Sequence, residues 1–418
     1  MADTQFLALA QLGEQLEATT KRVEKASLLA GLLEQLSPEE LPPTVRLTIG
    51  QVFPEWDARA LNVSWKAVMA VVDGLADAPP PVRDEIWGQA VDGGEAVRLL
   101  LERGRSQPPA PPPLTILGVY GTFEEIAATA GRGSRTRKEE LLRGLLVRAS
   151  AVEAKYLAKI IYQDMRHGVS EGIMLDGIAR AAGAKAKLVR RANQFWGDVG
   201  EVALVALTEG EPGLARASLR LFRPFKPMLA QTASNLQEAW ERHPCGLALE
   251  YKLDGARVQI HRQGDQVRIY SRNLADVTTS LPDVAGVVRE KLAADEAILE
   301  GEALAVDHRG RPLPFQHLMR RFRRKRDVEA TVAEIPVQLH LFDLLYAAGR
   351  PLVDESNEAR WQALEAAAGG LGLVRRILPA TMEEGEAFAA QSYRNGHEGV
   401  MIKALDSAYS PGVRGKSW

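Results

Sequence analysis

Cysteine is almost absent from the chain, since Cys245 is the only one among 418 residues. A single thiol excludes an intramolecular disulfide framework and a cysteine-based zinc site, and it is typical of proteins in a reducing compartment. The sequence also has no run of about 18 apolar residues, and its first residues lack the pattern of a signal peptide. We therefore expect a cytoplasmic protein that is not inserted in a membrane.

An excess of charge of one sign is missing too, because 52 lysines and arginines nearly balance 54 aspartates and glutamates. Any affinity for nucleic acid must therefore come from local basic clusters. Hydrophobic residues make up 46% and charged residues 25%, values that exclude collagen-like and disordered chains. At this length, we expect two or three folded domains.

The first half of the chain has a helical pattern and almost no strand-like alternation. Leucines recur at helical spacing across residues 139–149, and Thr136 with Glu139 is typical of a capping box that would begin this helix. The same spacing predicts helices around residues 7–36, 58–75, 95–103, 151–166 and 172–182. The proline-rich run 107–113 is predicted to be an exposed connection.

The pattern changes around residues 208–228, where glycines and prolines indicate a domain boundary that we set after residue 212. Alternating runs then predict strands at residues 247–250, 258–262, 266–270, 297–306, 337–346 and 399–403. The runs 258–262 and 266–270 are predicted to form a hairpin around Gly264. Helices are predicted at residues 284–294 and 357–368. The predicted fold class is thus multidomain, with an all-α domain at residues 1–212 and an α+β domain with antiparallel or mixed sheets at residues 213–418.

A lysine in a glycine turn is the central chemical feature, within Glu250-Tyr-Lys-Leu-Asp-Gly-Ala-Arg257. Alone, the Lys-x-Asp-Gly pattern is weak, and an exposed lysine on a surface turn is the ordinary alternative. Further motifs follow it in order: Tyr270-Ser-Arg-Asn273, Leu299-Glu-Gly-Glu-Ala303, Leu341-Phe-Asp-Leu-Leu-Tyr346 and Glu398-Gly-Val-Met-Ile-Lys403. This ordered set resembles the nucleotidyltransferase motifs of ATP-dependent DNA ligases, in particular the archaeal-type enzymes and their bacterial relatives.

The resemblance extends upstream to Gly133-Ser-Arg-Thr-Arg-Lys138 and to the segment Arg166–Asp176, which are similar to the helical DNA-binding domain of that family. It implies a DNA-binding domain at residues 1–212 and an adenylation domain at residues 213–418. It also implies ATP and Mg²⁺ as cofactors and nicked double-stranded DNA as the substrate. We expect a monomer, and the sequence leaves open any polymerase, clamp or end-joining partner.

The resemblance implies that Lys252 attacks the α-phosphate of ATP and becomes a covalent lysyl-AMP. A lysine has a reference pKa of about 10.4, so a nucleophilic lysine needs nearby cations or burial to favour its neutral form. Arg257, Lys403 or a divalent ion are candidates for that effect. The implied nucleotide-binding residues are Glu250, Lys252, Arg257, Arg272, Glu302, Phe342, Lys403 and Arg414. Among them Glu250 would hold the adenine and Phe342 would stack on it.

Glu302 and Glu398 are the carboxylates that the resemblance implies for ribose or magnesium, because hard oxygen ligands suit that ion. Basic clusters in both halves predict contacts to DNA phosphates. The predicted DNA-binding residues are Arg132, Arg135, Arg137, Lys138, Arg320, Arg321, Arg323, Arg324, Lys325 and Arg326.

The chain ends at Trp418, inside the last adenylation motif of the family pattern. A small C-terminal oligonucleotide-binding barrel would follow in such ligases, so we expect a C-terminally truncated form with impaired self-adenylation and weak sealing. Two alternatives stay open at this point. One is an RNA ligase or mRNA-capping guanylyltransferase, and the other is a DNA-binding or scaffold protein with an inactive adenylation domain.

Overall fold

The computed structural model of the chain describes residues 3–323 and 328–418. The chain divides into two compact units, Met1–Ala217 (unit 1) and Ser218–Trp418 (unit 2). The junction lies a few residues beyond the boundary that the glycines and prolines indicate, because the last helix of unit 1 runs through them to Ala215. Gly210 and Pro212 lie inside that helix and kink it rather than ending it.

Within its described residues, the regular elements of unit 1 are all helices, with two isolated bridges that join Gln5 to Thr115 and Ala76 to Arg105. Its helices are α1 (Phe6–Glu17), α2 (Arg22–Leu33), α3 (Leu41–Thr48), α4 (Trp65–Leu75), α5 (Pro80–Gln89), α6 (Gly93–Gly104), α7 (Ile116–Ala128), α8 (Ser134–Arg148), α9 (Ala151–Tyr162), α10 (Glu171–Ala181), α11 (Ala186–Trp196) and α12 (Val199–Ala215). The predicted helix at residues 7–36 is two helices, and the proline-rich connection 107–113 is mostly exposed. None of the described helices in either unit is long and apolar enough to cross a lipid bilayer.

Helix α8 begins earlier than the predicted capping box allows. Its N-cap is Gly133 in the left-handed region at φ 81°, and no side chain caps it. The capping-box prediction is wrong because Glu139 instead pairs with Arg135, one helical turn before it, at 2.9 Å. A capping box does begin the next helix, α9, where Ser150 and Glu153 bond each other's backbone.

Apolar faces of α1 and α3–α9 meet in one core that includes Phe6, Phe123, Leu145 and Tyr156, all essentially without solvent exposure. The spacing that places Leu142, Leu145 and Leu146 on one face of α8 explains why that helix packs inward. The opposite face of α8 remains exposed and carries its basic residues.

Unit 2 combines helices with two antiparallel sheets. Its elements are α13 (Leu236–Arg242), β1 (Leu247–Lys252), β2 (Ala256–Gln263), β3 (Gln266–Ser271), α14 (Pro282–Lys291), β4 (Glu296–Ala305), α15 (Phe315–Arg323), α16 (Val328–Glu334), β5 (Val337–Ala347), β6 (Arg350–Pro351), α17 (Asn357–Ala367), β7 (Arg376–Ile377), α18 (Met382–Arg394) and β8 (Gly399–Ala404). The small sheet has the order β7-β1-β8 and the large sheet the order β3-β2-β4-β5-β6. The predicted α+β fold is confirmed.

The predicted hairpin is confirmed as β2 and β3, which pair as far as Gln263 and Gln266. Gly264, in the two-residue turn between them, has φ 55°, a conformation that glycine adopts without strain.

Each sheet has one apolar and one polar face. Val258, Ile260 and Leu299 of the large sheet pack in a core with Val284 and Val288 of α14. The opposite face of the large sheet carries buried polar residues, which are Gln259, His261, Glu300 and Asp343. In the small sheet, Leu247, Leu249 and Tyr251 form a second core with Phe388 of α18. Polar residues of both sheets are therefore available to line a common cavity.

Candidate active site

Antiparallel pairing in the small sheet brings the predicted lysines and glutamates to one face. Strand β1 pairs with β8 so that Ala248 is opposite Lys403 and Lys252 is opposite Gly399. Because side chains alternate along a strand, Glu250, Lys252 and Lys403 share a face. The backbone N–H of Glu398 donates to the carbonyl of Lys252 at 3.0 Å, and the two side chains form an ion pair.

Glu250 is buried between two cations. Its carboxylate oxygens accept from Lys403 Nζ at 2.7 Å and from Arg376 Nη1 at 3.2 Å. Burial lowers the pKa of Lys403, and the charge of Glu250 opposes that change. Arg376 was not among the predicted residues, because its strand has two residues and so shows no alternation in the sequence.

Arg257 is held on the polar face of the large sheet. Its Nη2 donates to Glu300 Oε2 at 2.6 Å, and its Nη1 donates to the carbonyl of Met228 at 2.7 Å. Glu300 is also a residue that the prediction missed, although it lies two positions before Glu302 in the same motif. Burial lowers the pKa of Arg257, but the charge and hydrogen bond of Glu300, together with the charge of Glu302, act in the other direction and leave the pKa raised.

Glu302 is opposite Arg257 in the pairing of β2 with β4. Burial raises the pKa of Glu302 to about 8, although the charges of Arg257 and Lys252 act in the other direction. Any further cation bound beside Glu302 would favour its ionised form.

A register shift in the large sheet exposes Phe342 to the cavity. Glu300 is opposite Asp343 while Gly301 is opposite Leu341, so Phe342 is left without a partner on β4. Such a bulge re-aims a side chain. The ring of Phe342 meets that of Trp418 edge to face at 6.4 Å, and Lys403 Nζ lies 4.7 Å and 4.3 Å from the two ring centroids. Trp418 was missed as a cavity residue because no periodic pattern includes it.

Gly255 lets the turn after Lys252 approach strand β4. A Cβ atom at this position would lie 2.5 Å from the carbonyl oxygen of Ala303 and 2.9 Å from Cγ of Glu302. Real Cβ atoms do not come so near to a backbone oxygen. The glycine of the Lys-x-Asp-Gly motif is thus required by packing, and it brings the lysine turn against the strand that carries Glu302.

One cavity of about 790 Å³ unites these residues, a size typical of sites for small ligands. The residues predicted for the nucleotide or metal all line it: Glu250, Lys252, Arg257, Arg272, Glu302, Phe342, Glu398, Lys403 and Arg414. Of these, Lys252, Arg272, Glu398 and Arg414 are exposed. Cations, an aromatic ring and carboxylates in one cavity can bind a nucleotide with its phosphates.

The carboxylates suit a magnesium ion that is shared with phosphates. Within residues 3–323 and 328–418, no three or more histidine, cysteine, aspartate or glutamate side chains gather as a metal-binding group. Mg²⁺ often binds through one or two carboxylates, substrate phosphates and waters, so a dense protein cluster is not required. Glu302 and Glu398 line the same cavity and supply hard oxygen donors for this type of site.

The predicted DNA-binding residues of unit 1 surround the start of α8. Arg132, Arg135 and Arg137 are exposed, and the latter two pair with Glu139 and Glu125 at 2.9 Å and 2.7 Å. Lys138 is half-buried, and its Nζ donates to the carbonyl of Leu61 at 2.6 Å. These exposed pairs are weak and can exchange partners with a phosphate.

The second basic cluster divides into different environments. Arg320 is exposed and pairs with Glu334 at 2.6 Å. Arg321 is only 1% exposed, and its guanidinium donates to Asp283 and to the carbonyls of Ser280 and Ile335. Its prediction as a DNA contact is therefore wrong, since burial in the core keeps it from phosphates. Arg323 ends α15, and Arg324, Lys325 and Arg326 lie outside the described residues.

Comparisons with known proteins agree with this arrangement. The DNA ligase N terminus family matches residues 5–179, and the ATP dependent DNA ligase domain family matches residues 227–418. The DNA ligase of Thermococcus onnurineus is 39% identical over 100% of this chain and 75% of that protein. The DNA ligase of Methanopyrus kandleri is 42% identical over 98% of this chain and 75% of that protein.

The solved structure named Pmar-Lig_PreS3 matches 98% of this chain and 77% of that structure's chain, with a TM-score of 0.54 and 17% identity. At this identity, the match shows a similar fold. The two family matches cover most of unit 1 and nearly all of unit 2, and the archaeal relatives align along the whole chain. The chain therefore belongs to the ATP-dependent DNA ligase family.

Proposed function

We propose that this chain seals nicks in duplex DNA, with Lys252 as the residue that ATP adenylates. The observation that carries the proposal is the single cavity in which Lys252 is combined with aromatic, cationic and carboxylate side chains from both sheets of unit 2. In the proposed cycle, AMP passes from Lys252 to the 5′-phosphate of the nick. The 3′-hydroxyl then attacks that phosphate and AMP leaves.

In the first step, the Nζ of Lys252 forms a bond to the α-phosphorus as the bond to pyrophosphate breaks. The ammonium group that pairs with Glu398 has no free electron pair, so Lys252 must release a proton before its Nζ attacks. Magnesium bound by Glu398 and Glu302 would neutralise phosphate charge and withdraw the carboxylate from Lys252. Glu398 thus has a proposed role both in metal binding and in the control of the nucleophile.

We propose that the adenine occupies the buried end of the cavity. Phe342 is half-buried there and can stack on a base, and Trp418 packs against its ring edge to face. Glu250 already accepts from Lys403 and Arg376, but a carboxylate has about four lone-pair sites and can accept from the adenine amino group as well. The same Lys403 ammonium is proposed to reach the α-phosphate.

The three cavity arginines divide between ribose and phosphates. Arg257 is occupied by Glu300 and by the carbonyl of Met228, which leaves its Nε as a donor without a partner among the described residues. Arg272 and Arg414 are exposed, so their forked guanidinium groups are the more available ones for phosphate oxygens.

We propose that residues 1–212 bind DNA and residues 213–418 carry out adenylation. The proposed phosphate contacts are Arg132, Arg135, Arg137, Lys138, Arg320, Arg323, Arg324, Lys325 and Arg326. Such contacts are insensitive to base sequence, which suits the sealing of any nick. A monomer in the cytoplasm is the proposed form and location.

The decisive experiment is the intact mass of the chain before and after incubation with ATP and magnesium. We expect one added AMP on the wild-type chain and none on Lys252→Ala or Lys252→Arg. Lys291→Ala is the matched control, because Lys291 is an exposed lysine of unit 2 outside the cavity. An adduct from GTP instead of ATP would favour a guanylyltransferase, and an adduct retained in both Lys252 variants would refute this role of the lysine.

DNA binding is tested by the dependence of affinity for a nicked duplex on salt. The logarithm of the binding constant falls with the logarithm of salt by about 0.9 for each phosphate contacted. Replacing Arg135 by alanine should therefore lower the slope by about that amount. Arg103→Ala is the control, because Arg103 is another partly exposed, ion-paired arginine of unit 1. Equal slopes for both variants would exclude Arg135 from the interface.

A further inference from the structure

A second cavity of unit 2 carries positive charge and lies next to the active-site motifs. Its volume is about 670 Å³, and its lining includes Arg311, Gln338, His340, Arg394 and His397. We call this cavity the basic pocket. None of these residues lines the larger cavity that holds Lys252, so the proposed nucleotide site does not use them.

Donors of the basic pocket come from four places in the fold. Gln338 and His340 are alternate residues of β5 and so share a face. Arg311 lies on the connection from β4 to α15, and Arg394 ends α18. His397 lies in the turn that leads into β8. The fold thus gathers two guanidinium groups, two imidazoles and an amide around one space.

Two of these groups have unused capacity to donate. Within the described part of the chain, the side chain of Arg394 makes no hydrogen bond or ion pair, and it is exposed. The Nδ1 atom of His397 is buried and has no partner among the described residues. An imidazole nitrogen without a partner can carry the proton and donate it, and leaving such a nitrogen unpaired costs free energy.

The carboxylate of the basic pocket is already occupied. Asp307 accepts from the backbone N–H of Arg309 at 2.8 Å and of Arg311 at 2.9 Å. Its other oxygen pairs with the Arg311 side chain at 2.7 Å. These bonds form the turn that presents Arg311, so neither carboxylate oxygen of Asp307 is without a hydrogen bond. An anion is therefore the complementary ligand for the described lining.

We propose that the basic pocket binds a phosphate group, held by Arg394, Arg311 and His397. Guanidinium forks match phosphate oxygens, and an imidazole N–H adds a third donor. The volume leaves room for more than one phosphate.

Two residues of the basic pocket are direct neighbours of active-site carboxylates, one along the chain and one across the large sheet. His397 immediately precedes Glu398, and His340 is opposite Glu302 in the pairing of β4 with β5. The identity of the phosphate rests on the proposed function, because nick sealing offers two sources beside those carboxylates. One is the pyrophosphate that leaves in the first step, and the other is a backbone phosphate of the DNA.

Inorganic pyrophosphate is the first probe, titrated by calorimetry into the full chain without ATP. Replacing Arg394 by alanine should weaken binding about tenfold, which is the effect of one lost charge-assisted hydrogen bond. Arg394→Glu should weaken it further, because it adds a repelling charge. The matched control is Arg350→Ala, since Arg350 is an exposed arginine of unit 2 outside the basic pocket.

A nicked duplex is the second probe, with the same variants and a series of salt concentrations. If the Arg394 variants weaken only the binding of pyrophosphate, the ligand is the leaving group. If they only reduce the salt slope of DNA binding, by about 0.9, the ligand is a backbone phosphate. Arg394 variants that match Arg350→Ala in both titrations would overturn the proposal. The AMP adduct at Lys252, measured on the same samples, tests the proposed function separately, because it does not require phosphate in the basic pocket.

Discussion

The active-site cavity has a buried wall and an exposed rim that use the same residue types in different ways. Glu250 and Lys403 on the wall are 2% and 1% exposed, and their pair is 2.7 Å long. Lys252 and Glu398 on the rim also pair, but their side chains are 46% and 43% exposed. Glu250 and Lys252 lie on β1, Lys403 lies on β8, and Glu398 directly precedes β8.

This difference shows that burial decides whether a charged side chain can leave its partner at small cost in free energy. A charge on the wall has no access to water, so it depends on its partner and cannot easily change it. A charge on the rim is solvated and screened, so it can leave its partner at small cost. In the proposed function, the wall would therefore hold the base in a fixed position, while Lys252 on the rim could leave Glu398 and react.

The largest effect is expected from breaking the pair on the wall. Lys403→Met leaves the carboxylate of Glu250 buried with only Arg376 beside it, and removing one partner of a buried pair costs about 3–5 kcal/mol. Hydrogen exchange of the amides in β1 and β8 would measure the loss. The double variant Glu250→Gln/Lys403→Met should recover part of it, because the buried carboxylate is then neutral and the glutamine amide oxygen can still accept from Arg376. If Lys403→Met lowers the free energy of unfolding by less than about 1 kcal/mol, the wall is solvated.

The turn that connects wall and rim is expected to be nearly as sensitive. Gly255→Ala places a Cβ atom 2.5 Å from the carbonyl oxygen of Ala303, so β2 must move away from β4. Overpacking of this kind costs about 1–3 kcal/mol, and the displaced turn should also reduce the AMP adduct at Lys252. Gly286→Ala, at a helical site with open space, is the control and should leave adduct formation unchanged. Normal adduct formation in Gly255→Ala would show that the contact relaxes locally.

The contrast between buried and exposed sites extends to the histidines, and it predicts that the free energy of unfolding of unit 2 depends on pH. Burial lowers the pKa of His261 to about 3, and its Nδ1 accepts from the N–H of Phe222 at 2.8 Å. Between about pH 6.5 and pH 3, the unfolded chain binds a proton that the folded chain does not. The stability of unit 2 therefore falls as the pH drops below about 6.5, by about 1.4 kcal/mol per pH unit for this one group.

Hydrogen exchange of β2 and β3 at several pH values would measure this dependence. His261→Gln should flatten the slope below about pH 6.5, because glutamine does not bind the proton. His308→Gln is the control, since His308 is exposed, and it should keep the slope of the wild-type chain. Equal slopes in both variants would contradict a neutral buried His261.

The smallest effect on stability is expected on the rim. Glu398→Gln removes the ion pair with Lys252, and pairs with such exposure contribute about 0–1 kcal/mol. The free energy of unfolding should thus change far less than in Lys403→Met, and the change should shrink as salt is added. A loss above about 2 kcal/mol would show that the rim is as buried in solution as the wall.

Much of the site was predictable because its motifs are local in sequence. Lys252 with its glycine turn, and Glu302 and Glu398 within their motifs, could be named because these motifs resemble those of the ligase family. Arg376 could not, because two residues of strand carry no alternation, and its contact with Glu250 spans 126 positions. Arg321 was misassigned because a run of basic residues contains no sign of which member turns into the core.

The sequence by itself determined the two-part organisation and the strand alternation, because periodicity and local turn chemistry act over a few residues. The chemical set around Lys252 was implied by the resemblance of its ordered motifs to those of the ligase family. Only the tertiary structure decided which charges are buried and with whom they pair. The register of β1 with β8, the bulge at Phe342 and the packing of Gly255 on β4 join residues that are distant along the chain. Burial then sets the energy of each charge, and burial is a property of the packed fold rather than of any segment.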